Sequence, residues 1–376
     1  MKIALIGTTV ETMINFRESL IKELISLKHD VYCFCIDYNT TGENKIKELG
    51  ATPINYRFNR SKLNPCSDII NTFKLKKLIS SISPDIVLSY FSKPSIYGSL
   101  AAKLAHVPKR FAMLEGLGYT FTEQKNGLHW RTKLIQKIQI VLYKISLSTT
   151  HGLILLNKDD KSDLIEKYNI KVRTLILGGI GLNLKNYEFT PIIKKNNISF
   201  IFVARLLKEK GIYEYIDAAK IVKKKYPGTI FHVLGGLDTD NPGGIKKEQL
   251  DELNNTGIIN YPGFVINVNE WIKISDVFVL PSYYREGLPR STQEAMSIGR
   301  PVITTNCPGC KETVNDGING FLIPPWSPDM LAEKMIYFIE NPEHIEIMGL
   351  KSYEIAKNNY DSKIVNEKLL KYMKIL

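Results

Sequence analysis

Two carboxylates and two cations follow predicted strands in the second half of this sequence. Glu286 lies on the loop after residues 276–280, an apolar run that predicts a buried strand, and Glu294 lies a turn or so into the helix that follows. Arg205 and Lys210 come directly after the apolar run 198–204. Carboxylates accept hydrogen bonds from sugar hydroxyls, whereas Arg and Lys bind phosphate oxygens. The pattern predicts a diphosphate flanked by sugar hydroxyls.

The helix that contains Glu294 has the sequence signals of an anion-binding N-terminus. Pro289 is placed where a helix can begin, and Gly299 is placed where the helix can end. The backbone N–H groups of Arg290 and Ser291 then point beyond the helix start, where the helix dipole favours a negative charge. Taken one at a time, each of these residues has an ordinary alternative. A loop carboxylate, a helix carboxylate and loop cations are usually just solvated.

Alternation of apolar runs and amphipathic segments predicts the elements that carry this site. Strands are predicted at residues 2–7, 31–36, 85–90, 110–114, 152–156, 198–204, 230–234, 276–280 and 302–305, and helices at 16–27, 68–82, 95–105 and 212–225, with 329–376 nearly all helical. This order is typical of parallel sheets with helices on both faces. The polar segment 185–197, which contains Pro191, interrupts the rhythm and reads as a linker. We therefore expect an α/β protein with two doubly wound domains, 1–187 and 188–376, and a cleft between them.

Charge is concentrated in the first half of the chain. The 376 residues carry a net charge of +12; residues 1–190 hold 27 Lys and Arg against 16 Asp and Glu, and residues 191–376 hold 23 against 22. An excess of +11 in one half indicates an anionic partner such as nucleic acid, acidic lipid or a phosphorylated ligand, the alternative being a generally basic surface. No interleaved aromatic and basic pattern typical of RNA binding is present, so nucleic acid is not expected.

Composition excludes several other classes of protein. The apolar fraction of 44% and charged fraction of 23% are those of a globular protein. No apolar run is long enough to span a membrane, and the N-terminus does not read as a signal peptide. Five cysteines, an odd number in a long chain, do not form a disulfide framework, so a reducing cytoplasm is expected.

Several motifs of this sequence, taken together, resemble those of a known protein family. The R-x4-K-G of residues 205–211 and the E-x7-E of residues 286–294, with GGIGLN at 178–183 and NDGINGFLIP at 315–324, resemble retaining glycosyltransferases of family 4, which have the GT-B fold of two Rossmann-like domains. The resemblance spans essentially the whole chain. The segments RSKLNP (60–65), 101–118 and CPGCKE (307–312) are similar to those of bacterial transferases that add an α-linked N-acetylhexosamine to a lipid-diphosphate-linked sugar.

The resemblance implies a role for each matching residue at the donor. Arg205 and Lys210 would hold the diphosphate of a nucleotide sugar, Glu286 the hydroxyls of its sugar, and Glu294 its ribose. The remaining donor residues would be Gly7 and Thr8 near the phosphate, Gly235, Gly263 and Phe264 at the base, and Gly287, Leu288, Pro289, Arg290 and Ser291 along the phosphate and sugar. Residues 7–9 lack the G-x-G-x-x-G fingerprint, which argues against NAD.

One departure from the family concerns Glu115. Many members have a His at this position, whereas a carboxylate can accept a proton or bind an acceptor hydroxyl. We therefore place Glu115 with Arg205, Lys210 and Glu286 among the catalytic candidates. The candidate acceptor-binding residues are Asn15, Arg17, Arg60, Lys93, Gly116, Gly118 and Tyr119.

Three further patterns in the sequence have simple structural explanations. Asp238 and Asp240 form a D-x-D, the metal motif of another glycosyltransferase fold, but they lie in DTDNPGG, a segment of ordinary turn residues. Cys307 and Cys310 form a C-x-x-C without the second pair that a zinc site needs, and a redox role is not expected. Cys33 and Cys35 are predicted to be small core residues.

Residues 128–147 predict a basic amphipathic helix. Trp130, Leu134, Ile138, Val141, Leu142 and Ile145 share one side, with Arg131, Lys133, Lys137 and Lys144 off it or on its flanks. We expect the apolar side to pack on the sheet and the basic flank to meet lipid headgroups. The alternative is a helix that lies with its apolar side on an anionic membrane.

The resemblance predicts a retaining, metal-independent transferase without a cofactor. It would move an N-acetylhexosamine, GalNAc first, from a UDP-sugar to a polyprenyl-diphosphate-linked saccharide during assembly of surface polysaccharide such as O-antigen. Such an enzyme would be cytoplasmic, peripheral to the inner face of the membrane, with its last helix packed on the first domain. The alternatives are transfer of another UDP-hexose (Gal, Glc or GlcNAc), a UDP-sugar 2-epimerase of the same fold, or a protein that binds nucleotide sugars without catalysis.

Overall fold

The chain divides into two compact units. The computed structural model describes residues 1–59, 65–193, 195–238 and 243–376. Unit 1 comprises Met1–Phe121, Leu128–Gly181 and Ser362–Leu376, and unit 2 comprises Thr122–Gly127 and Leu182–Asp361. The change of unit therefore comes after residue 181, where the sequence indicated 187. The last helix belongs to unit 1, and a short segment inserted in the first half belongs to unit 2.

Unit 1 alternates strands and helices. Its elements are β1 (Lys2–Ile6), α1 (Val10–Ser26), β2 (Asp30–Cys35), α2 (Thr40–Glu48), β3 (Thr52–Asn55), α3 (Pro65–Ile82), β4 (Ile86–Tyr90), α4 (Ser99–Leu104), β5 (Lys109–Leu114), α5 (Trp130–Leu147), β6 (Gly152–Leu155), α6 (Lys158–Asp160), β7 (Thr174–Ile176) and α13 (Ser362–Met373). In the part of the chain described, these strands form a seven-stranded parallel sheet in the order β3-β2-β1-β4-β5-β6-β7. The order reverses between β1 and β4, and ligands of such sheets bind beyond the carboxyl ends at this point.

Unit 2 repeats this plan with fewer strands. Its elements are β8 (Ser199–Val203), α7 (Ile212–Lys225), β9 (Ile230–Leu234), α8 (Lys247–Asn255), α9 (Val268–Ile274), β10 (Val277–Leu280), α10 (Arg290–Ile298), β11 (Val302–Thr305), β12 (Gly320–Ile323), α11 (Pro328–Glu340) and α12 (Glu343–Asn359). Within the described ranges the five strands are parallel in the order β12-β11-β10-β8-β9. The loops after β8, β10 and β11 therefore leave neighbouring strands at one edge.

Burial explains why most strands could be predicted from the sequence. Strands β4, β8, β10 and β11 are buried along their whole length, so they read as continuous apolar runs, as parallel strands covered on both faces do. The predicted bounds of α7, β9 and β11 are confirmed to the residue. Sequence reasoning missed α2, β3, β7, α8, α9 and β12. Among these, β3 and β7 are short edge strands without a fully buried residue, so they lack the apolar signal.

The helix predicted at residues 95–105 has a different start. It begins as a π-helical turn over Pro94–Gly98 and continues as α4. At Gly98 a β-carbon would lie 2.7 Å from the Ser89 hydroxyl oxygen, so the turn approaches β4 closely where the side chain is absent. The turn also brings Lys93 to the carboxyl end of β4.

The prediction for the apolar side of α5 was wrong. Ile140, Tyr143 and Leu147 are the apolar side chains that α5 buries in the core of unit 1. Five of the six side chains that we expected to pack on the sheet are exposed: Trp130, Leu134, Ile138, Val141 and Ile145. The helix is apolar on two sides, so hydrophobic periodicity alone could not decide which side faces the sheet.

The prediction that Cys33 and Cys35 are core residues is confirmed. All five cysteines are free, and Cys33 and Cys35 are fully buried in β2. Across the described residues, none of the helices combines the length and the apolar character that crossing a bilayer requires.

Candidate active site

The centre of the candidate donor site in unit 2 is an ion pair between two loops. Lys210 ends a short 3-10 turn after β8, and its ammonium donates to Glu286 Oε1 on the loop after β10. The two side chains are only 13% and 11% exposed. Ser282 donates to the same carboxylate oxygen over 3.1 Å, and Lys210 Nζ lies 4.9 Å from the centre of the Tyr284 ring. The pair that the sequence placed on separate loops is therefore one buried, hydrogen-bonded unit.

Backbone contacts hold these two loops together. The N–H groups of Tyr283 and Tyr284 both donate to the carbonyl of Glu209 over 3.0 Å. Gly211 has a φ of +82°, and a β-carbon there would lie 2.2 Å from the carbonyl oxygen of Pro281. Only glycine tolerates both the conformation and the close approach. The position of Lys210 relative to β10 is thus fixed by backbone rather than by flexible side chains.

The loop after β11 completes this wall of the site. Gly309 has a φ of +86°, and a β-carbon there would lie 2.5 Å from the carbonyl oxygen of Glu286. Glu312 accepts a hydrogen bond from the Gly309 N–H over 2.7 Å. Burial raises the pKa of the Cys310 thiol, and the nearby Glu286 carboxylate raises it further. A thiol held protonated is a poor nucleophile, so the packing role of this C-x-x-C is favoured over a redox role.

The start of α10 has the form that the sequence predicted, shifted by one residue. Pro289 is the N-cap rather than the first helical residue, and Gly299 ends the helix with a φ of +90°. Because proline has no side-chain acceptor, Pro289 cannot cap the N–H groups of Arg290 and Ser291. Gly287 and Leu288, which lead into the helix, are buried.

Glu294 is not the solvated carboxylate of the simpler alternative. Its Oε1 accepts hydrogen bonds from the Tyr187 hydroxyl over 2.8 Å and from Arg290 Nε over 2.9 Å. Burial, together with the Glu294 charge, raises the pKa of Tyr187 to about 12. The carboxylate is therefore held in one orientation by a residue of the predicted linker. Nothing in the sequence pattern singled out Tyr187.

The remaining donor candidates of unit 2 lie at the ends of β8 and β9. Arg205 is half exposed and pairs with Asp238 over 3.4 Å, so this Asp of the D-x-D neutralises a cation. Asp240 lies outside the described residues. Gly235 has a φ of +153°, with a hypothetical β-carbon 1.8 Å from the carbonyl oxygen of Ala204. Gly263 has a φ of +84° and open space around it, and Phe264 next to it is 79% exposed.

In unit 1, Arg17 and Glu115 form a second buried pair. Glu115 directly follows β5, and its carboxylate accepts a hydrogen bond from Arg17 on α1. Both side chains are nearly inaccessible, and the guanidinium carbon lies 4.3 Å from the centre of the Tyr90 ring. The sequence named both residues without indicating that they touch. Because Arg17 faces Glu115, we assign it the positioning of that carboxylate.

Gly7 and Thr8 lie at the switch point of the unit 1 sheet. A β-carbon at Gly7 would lie 2.2 Å from the Tyr90 hydroxyl, so glycine is required there. Thr8 and Lys93 both line a small pocket beside β1 and β4. Lys93 Nζ lies 3.2 Å from both carboxylate oxygens of Asp68, which is buried. This cation therefore has a fixed place at the carboxyl edge.

The other acceptor candidates lie close to Glu115 or on α1. Gly116 and Gly118 have φ values of +101° and +75°, which lets the chain turn sharply after β5. Tyr119, in the 3-10 turn that follows, and Asn15 on α1 are exposed. Arg60 lies outside the described residues.

Comparison with known proteins agrees with this division. The family model described as Glycosyl transferase 4-like matches residues 2–177, and the model described as Glycosyl transferases group 1 matches residues 183–355. The N,N'-diacetylbacillosaminyl-diphospho-undecaprenol alpha-1,3-N-acetylgalactosaminyltransferase of Campylobacter jejuni is 29% identical, over 99% of this chain and 98% of that protein. The UDP-Gal:alpha-D-GlcNAc-diphosphoundecaprenol alpha-1,3-galactosyltransferase of Escherichia coli is 28% identical, over 80% of this chain and 75% of that protein.

Solved structures share the fold. HepE of Anabaena, in complex with UDP and glucose, aligns over the full length of both chains with a TM-score of 0.78 and 17% identity. The two family models between them span nearly the whole sequence, and each corresponds to one parallel sheet with its helices. The chain therefore belongs to the GT-B glycosyltransferases, with a family 4-like first domain and a group 1 second domain, and is a hexosyltransferase.

Proposed function

We propose that this enzyme transfers an N-acetylhexosamine from a UDP-sugar to a polyprenyl-diphosphate-linked saccharide. GalNAc is the first candidate for the transferred sugar. The relatives from C. jejuni and E. coli are both named for acceptors linked to undecaprenol through a diphosphate. The E. coli relative is named for a UDP-sugar donor, and the C. jejuni relative for GalNAc transfer. The C. jejuni relative matches almost end to end, which supports GalNAc over galactose as the first sugar to test.

The proposal assigns the donor to the strand ends of unit 2. Lys210 and the N-terminus of α10 present positive charge at one edge of the sheet, which suits the diphosphate. Arg205, on the same edge, adds a second cation. Glu286 would exchange its bond to Lys210 in part for the hydroxyls of the donor sugar, and Glu294 would accept hydrogen bonds from the ribose. The single observation that carries the proposal is the buried contact between Lys210 and Glu286.

The proposed reaction proceeds with retention and without a metal. The bond between the sugar C1 and the β-phosphate oxygen breaks, and its electron pair leaves with UDP. The acceptor hydroxyl oxygen forms the new bond to C1 on the same face, and its proton passes to the departing phosphate oxygen. Lys210 and Arg205 stabilise the charge that develops on the diphosphate, as fixed electrostatic groups do for other leaving groups.

The acceptor is assigned to unit 1. Glu115 follows β5 at the carboxyl edge, where it would bind the acceptor hydroxyl while Arg17 holds the carboxylate in place. Lys93, and Arg60 from its position in the sequence alone, are the cations assigned to the acceptor diphosphate. A lipid-linked acceptor places the enzyme at the inner face of the cytoplasmic membrane, bound peripherally, in surface polysaccharide or O-antigen assembly.

A donor panel tests the proposal directly. The purified protein is incubated with UDP-GalNAc, UDP-GlcNAc, UDP-Gal or UDP-Glc and polyprenyl-diphosphate-linked saccharides, and both free UDP and the mass of the lipid product are measured. We expect UDP release and an added HexNAc mass with UDP-GalNAc, unchanged by EDTA, and an α-linkage by NMR. Transfer of galactose or glucose would keep the assignment as a transferase and would change only the assigned donor sugar. Activity that EDTA abolishes and manganese restores would overturn metal independence.

The rival within this fold is a UDP-sugar 2-epimerase. An epimerase needs no lipid acceptor and would convert UDP-sugar in its absence. A transferase consumes UDP-sugar at an appreciable rate only when the acceptor is added. Formation of the C2 epimer of the UDP-sugar without acceptor, and without net release of UDP, would decide for the epimerase.

A further inference from the structure

Helix α5 exposes an apolar stripe that the core of unit 1 does not use. Trp130, Leu134, Ile138, Val141 and Ile145 are each between 47% and 63% exposed. At about 100° per residue they lie within an arc of about 80° on the helix surface. The buried residues Ile140, Tyr143 and Leu147 occupy the opposite side. Isolated exposed apolar residues are common, but a continuous stripe along more than four turns of one helix indicates a binding surface.

Basic residues border this stripe. On the same helical projection Lys133, Lys137 and Lys144 lie along one side of the stripe and Arg131 along the other, and all four are exposed. Residues 128–147 contain no Asp or Glu. A helix with an apolar stripe, cationic flanks and no acidic residue has the composition of helices that lie in the plane of an anionic membrane surface.

A second helix of the same layer has a similar surface. Helix α4 packs against both α3 and α5, so the three helices lie side by side on unit 1. On α3, Ile69, Ile70 and Phe73 are just over half exposed, and the same side carries Lys74 and Lys77. The apolar stripe of α5 and these side chains of α3 together form what we call the α3–α5 face.

The net charge of the chain comes almost entirely from the sequence segment that contains these helices. Residues 51–150, which include α3, α4 and α5, hold fifteen Lys and Arg and four Asp and Glu, a net charge of +11 out of +12 for the protein. Two of these four carboxylates, on Asp68 and Glu115, are buried in ion pairs with Lys93 and Arg17. Eight of the fifteen Lys and Arg lie on α3, α4 and α5, so the helices that expose the apolar side chains are themselves basic.

We propose that the α3–α5 face docks on the surface of an anionic lipid bilayer. The inference rests on the proposed function, since the lipid-linked acceptor lies in that bilayer. A second copy of this chain is a poor occupant, because two faces with this charge and no acidic groups on α5 repel each other. A bilayer offers both an anionic headgroup layer for the lysines and an acyl boundary for the stripe.

Docking in this way would bring the acceptor residues of unit 1 to the membrane surface. Helices α3 and α5 begin after the carboxyl ends of β3 and β5, and Glu115 directly follows β5. Trp130, at the first residue of α5, is therefore on the side of the layer from which the acceptor edge extends. Tryptophan prefers the boundary between headgroups and acyl chains. The face would hold unit 1 with its acceptor edge within reach of a lipid-bound diphosphate.

Vesicle binding by two pairs of matched variants tests the face. The full chain is sedimented with vesicles of phosphatidylcholine, with or without phosphatidylglycerol. We expect L134Q/V141Q to lower partitioning onto the anionic vesicles about tenfold, and I347Q/L350Q, an equally exposed pair on α12 in unit 2, to leave it unchanged. We expect K133Q/K137Q/K144Q to lower it about 100-fold, with the loss confined to anionic vesicles, and K220Q/K224Q/K351Q in unit 2 to have little effect.

Trp130 provides a direct readout of contact. Bromine-labelled lipids should quench the fluorescence of the wild-type protein, and W130F should lose most of that quenching, because Trp271 and Trp326 lie outside the α3–α5 face. Equal binding by stripe variants and their controls, or quenching that survives W130F, would overturn the docking face. A wild-type dimer that L134Q/V141Q converts to monomer would reassign the stripe to contact between copies.

A soluble acceptor separates this inference from the proposed function. With a short-chain, water-soluble diphosphate-linked saccharide, L134Q/V141Q should transfer at the wild-type rate, and with the same saccharide on a polyprenyl chain in vesicles its rate should fall about tenfold, in parallel with binding. If no donor supports transfer but vesicle binding responds to the variants as expected, the proposed function fails and the docking face stands. If transfer is normal and the variants bind vesicles like wild type, the proposed function stands and the docking face fails.

Discussion

Lys210 donates a hydrogen bond to Glu286 across two loops that leave neighbouring parallel strands, β8 and β10. Both groups are largely buried, and Ser282 holds the same carboxylate oxygen from the other side. A cation and a carboxylate assigned to different parts of one donor are thus oriented by each other before any donor arrives. Preorganisation of this kind reduces the cost of ordering side chains on binding.

The pair predicts different defects for its two members. K210Q should lower UDP affinity about 10- to 100-fold, because a charge-assisted hydrogen bond to the diphosphate is lost. E286Q should leave UDP affinity unchanged, since UDP lacks the sugar, while lowering kcat about 10- to 100-fold. Calorimetry with UDP and initial rates with UDP-sugar separate the two effects.

Neighbouring residues supply the controls for this pair. Lys208 is exposed in the same 3-10 turn, so K208Q should behave like wild type in both assays. Glu248 on α8 is exposed and serves in the same way for E286Q. If K208Q weakened UDP as strongly as K210Q does, general charge rather than the buried position of Lys210 would explain the effect.

Two glycines with similar backbone conformations should respond differently to alanine. Gly309 and Gly317 have φ values of +86° and +74°, so both substitutions cost about 1–2 kcal/mol in the left-handed region. Only at Gly309 would the new β-carbon meet backbone, at the carbonyl oxygen of Glu286, whereas Gly317 has open space. G309A should therefore lose most transfer activity and G317A should keep it, with melting temperatures recorded for both. Equal activity losses would show that strain, not displacement of Glu286, is responsible.

Much of the donor site could be predicted from strand ends. Arg205, Lys210 and Glu286 follow fully buried apolar runs, and parallel strands end at a common edge, so their proximity follows from the sheet. The direct contact between Lys210 and Glu286 does not follow, because it depends on the backbone path through Gly211. Tyr187 could not be predicted for another reason. It lies in a segment without periodicity, and it contacts Glu294 through a single hydroxyl.

Two other features depend on tertiary structure alone. Residues 122–127 belong to unit 2, where the Thr122 hydroxyl accepts a hydrogen bond from the Arg285 N–H over 2.9 Å, a contact between residues far apart in sequence. The orientation of α5 was mispredicted because Ile140 and Tyr143 form a smaller apolar side than the exposed stripe does. In that helix the larger apolar side is exposed and the smaller one packs in the core.

The low pKa of buried His232 predicts that the protein loses stability in mild acid. Burial and, to a smaller extent, the charge of Lys195 lower the pKa of His232 to about 4, with the charge of Asp276 opposing the change. An unfolded histidine has a pKa near 6.5. The unfolded state therefore binds one more proton between these values, and the free energy of unfolding falls as pH decreases from about 6.5 toward 4, by up to about 3 kcal/mol.

The variant H232Q isolates this contribution. Urea unfolding is followed through the fluorescence of Trp271, whose ring lies 5.3 Å from that of His232. Between about pH 7 and pH 4.5, the wild-type protein should lose more stability than H232Q does. Parallel curves for the two proteins would mean that other groups, such as carboxylates, account for the whole acid sensitivity.

The buried pair of Arg17 and Glu115 makes a prediction about stability. Removing one partner of a buried ion pair costs about 3–5 kcal/mol, because the other charge is left unpaired away from water. We expect R17M to be strongly destabilised, E115Q less so, and R17M/E115Q to recover most of the loss suffered by R17M. Free energies of unfolding from urea titrations give the coupling energy, which should exceed about 1 kcal/mol.

The same three variants decide whether Glu115 also acts in transfer. If its carboxylate binds the acceptor hydroxyl, E115Q should lower kcat/KM for the acceptor at least about tenfold and leave UDP affinity unchanged. R17M/E115Q should then be folded, bind UDP normally and share the acceptor defect of E115Q. Because Arg17 is held by Glu115 and the Tyr90 ring, its contribution to rate should disappear once Glu115 is gone. A folded E115Q with a normal acceptor kcat/KM would restrict this pair to packing at the end of β5.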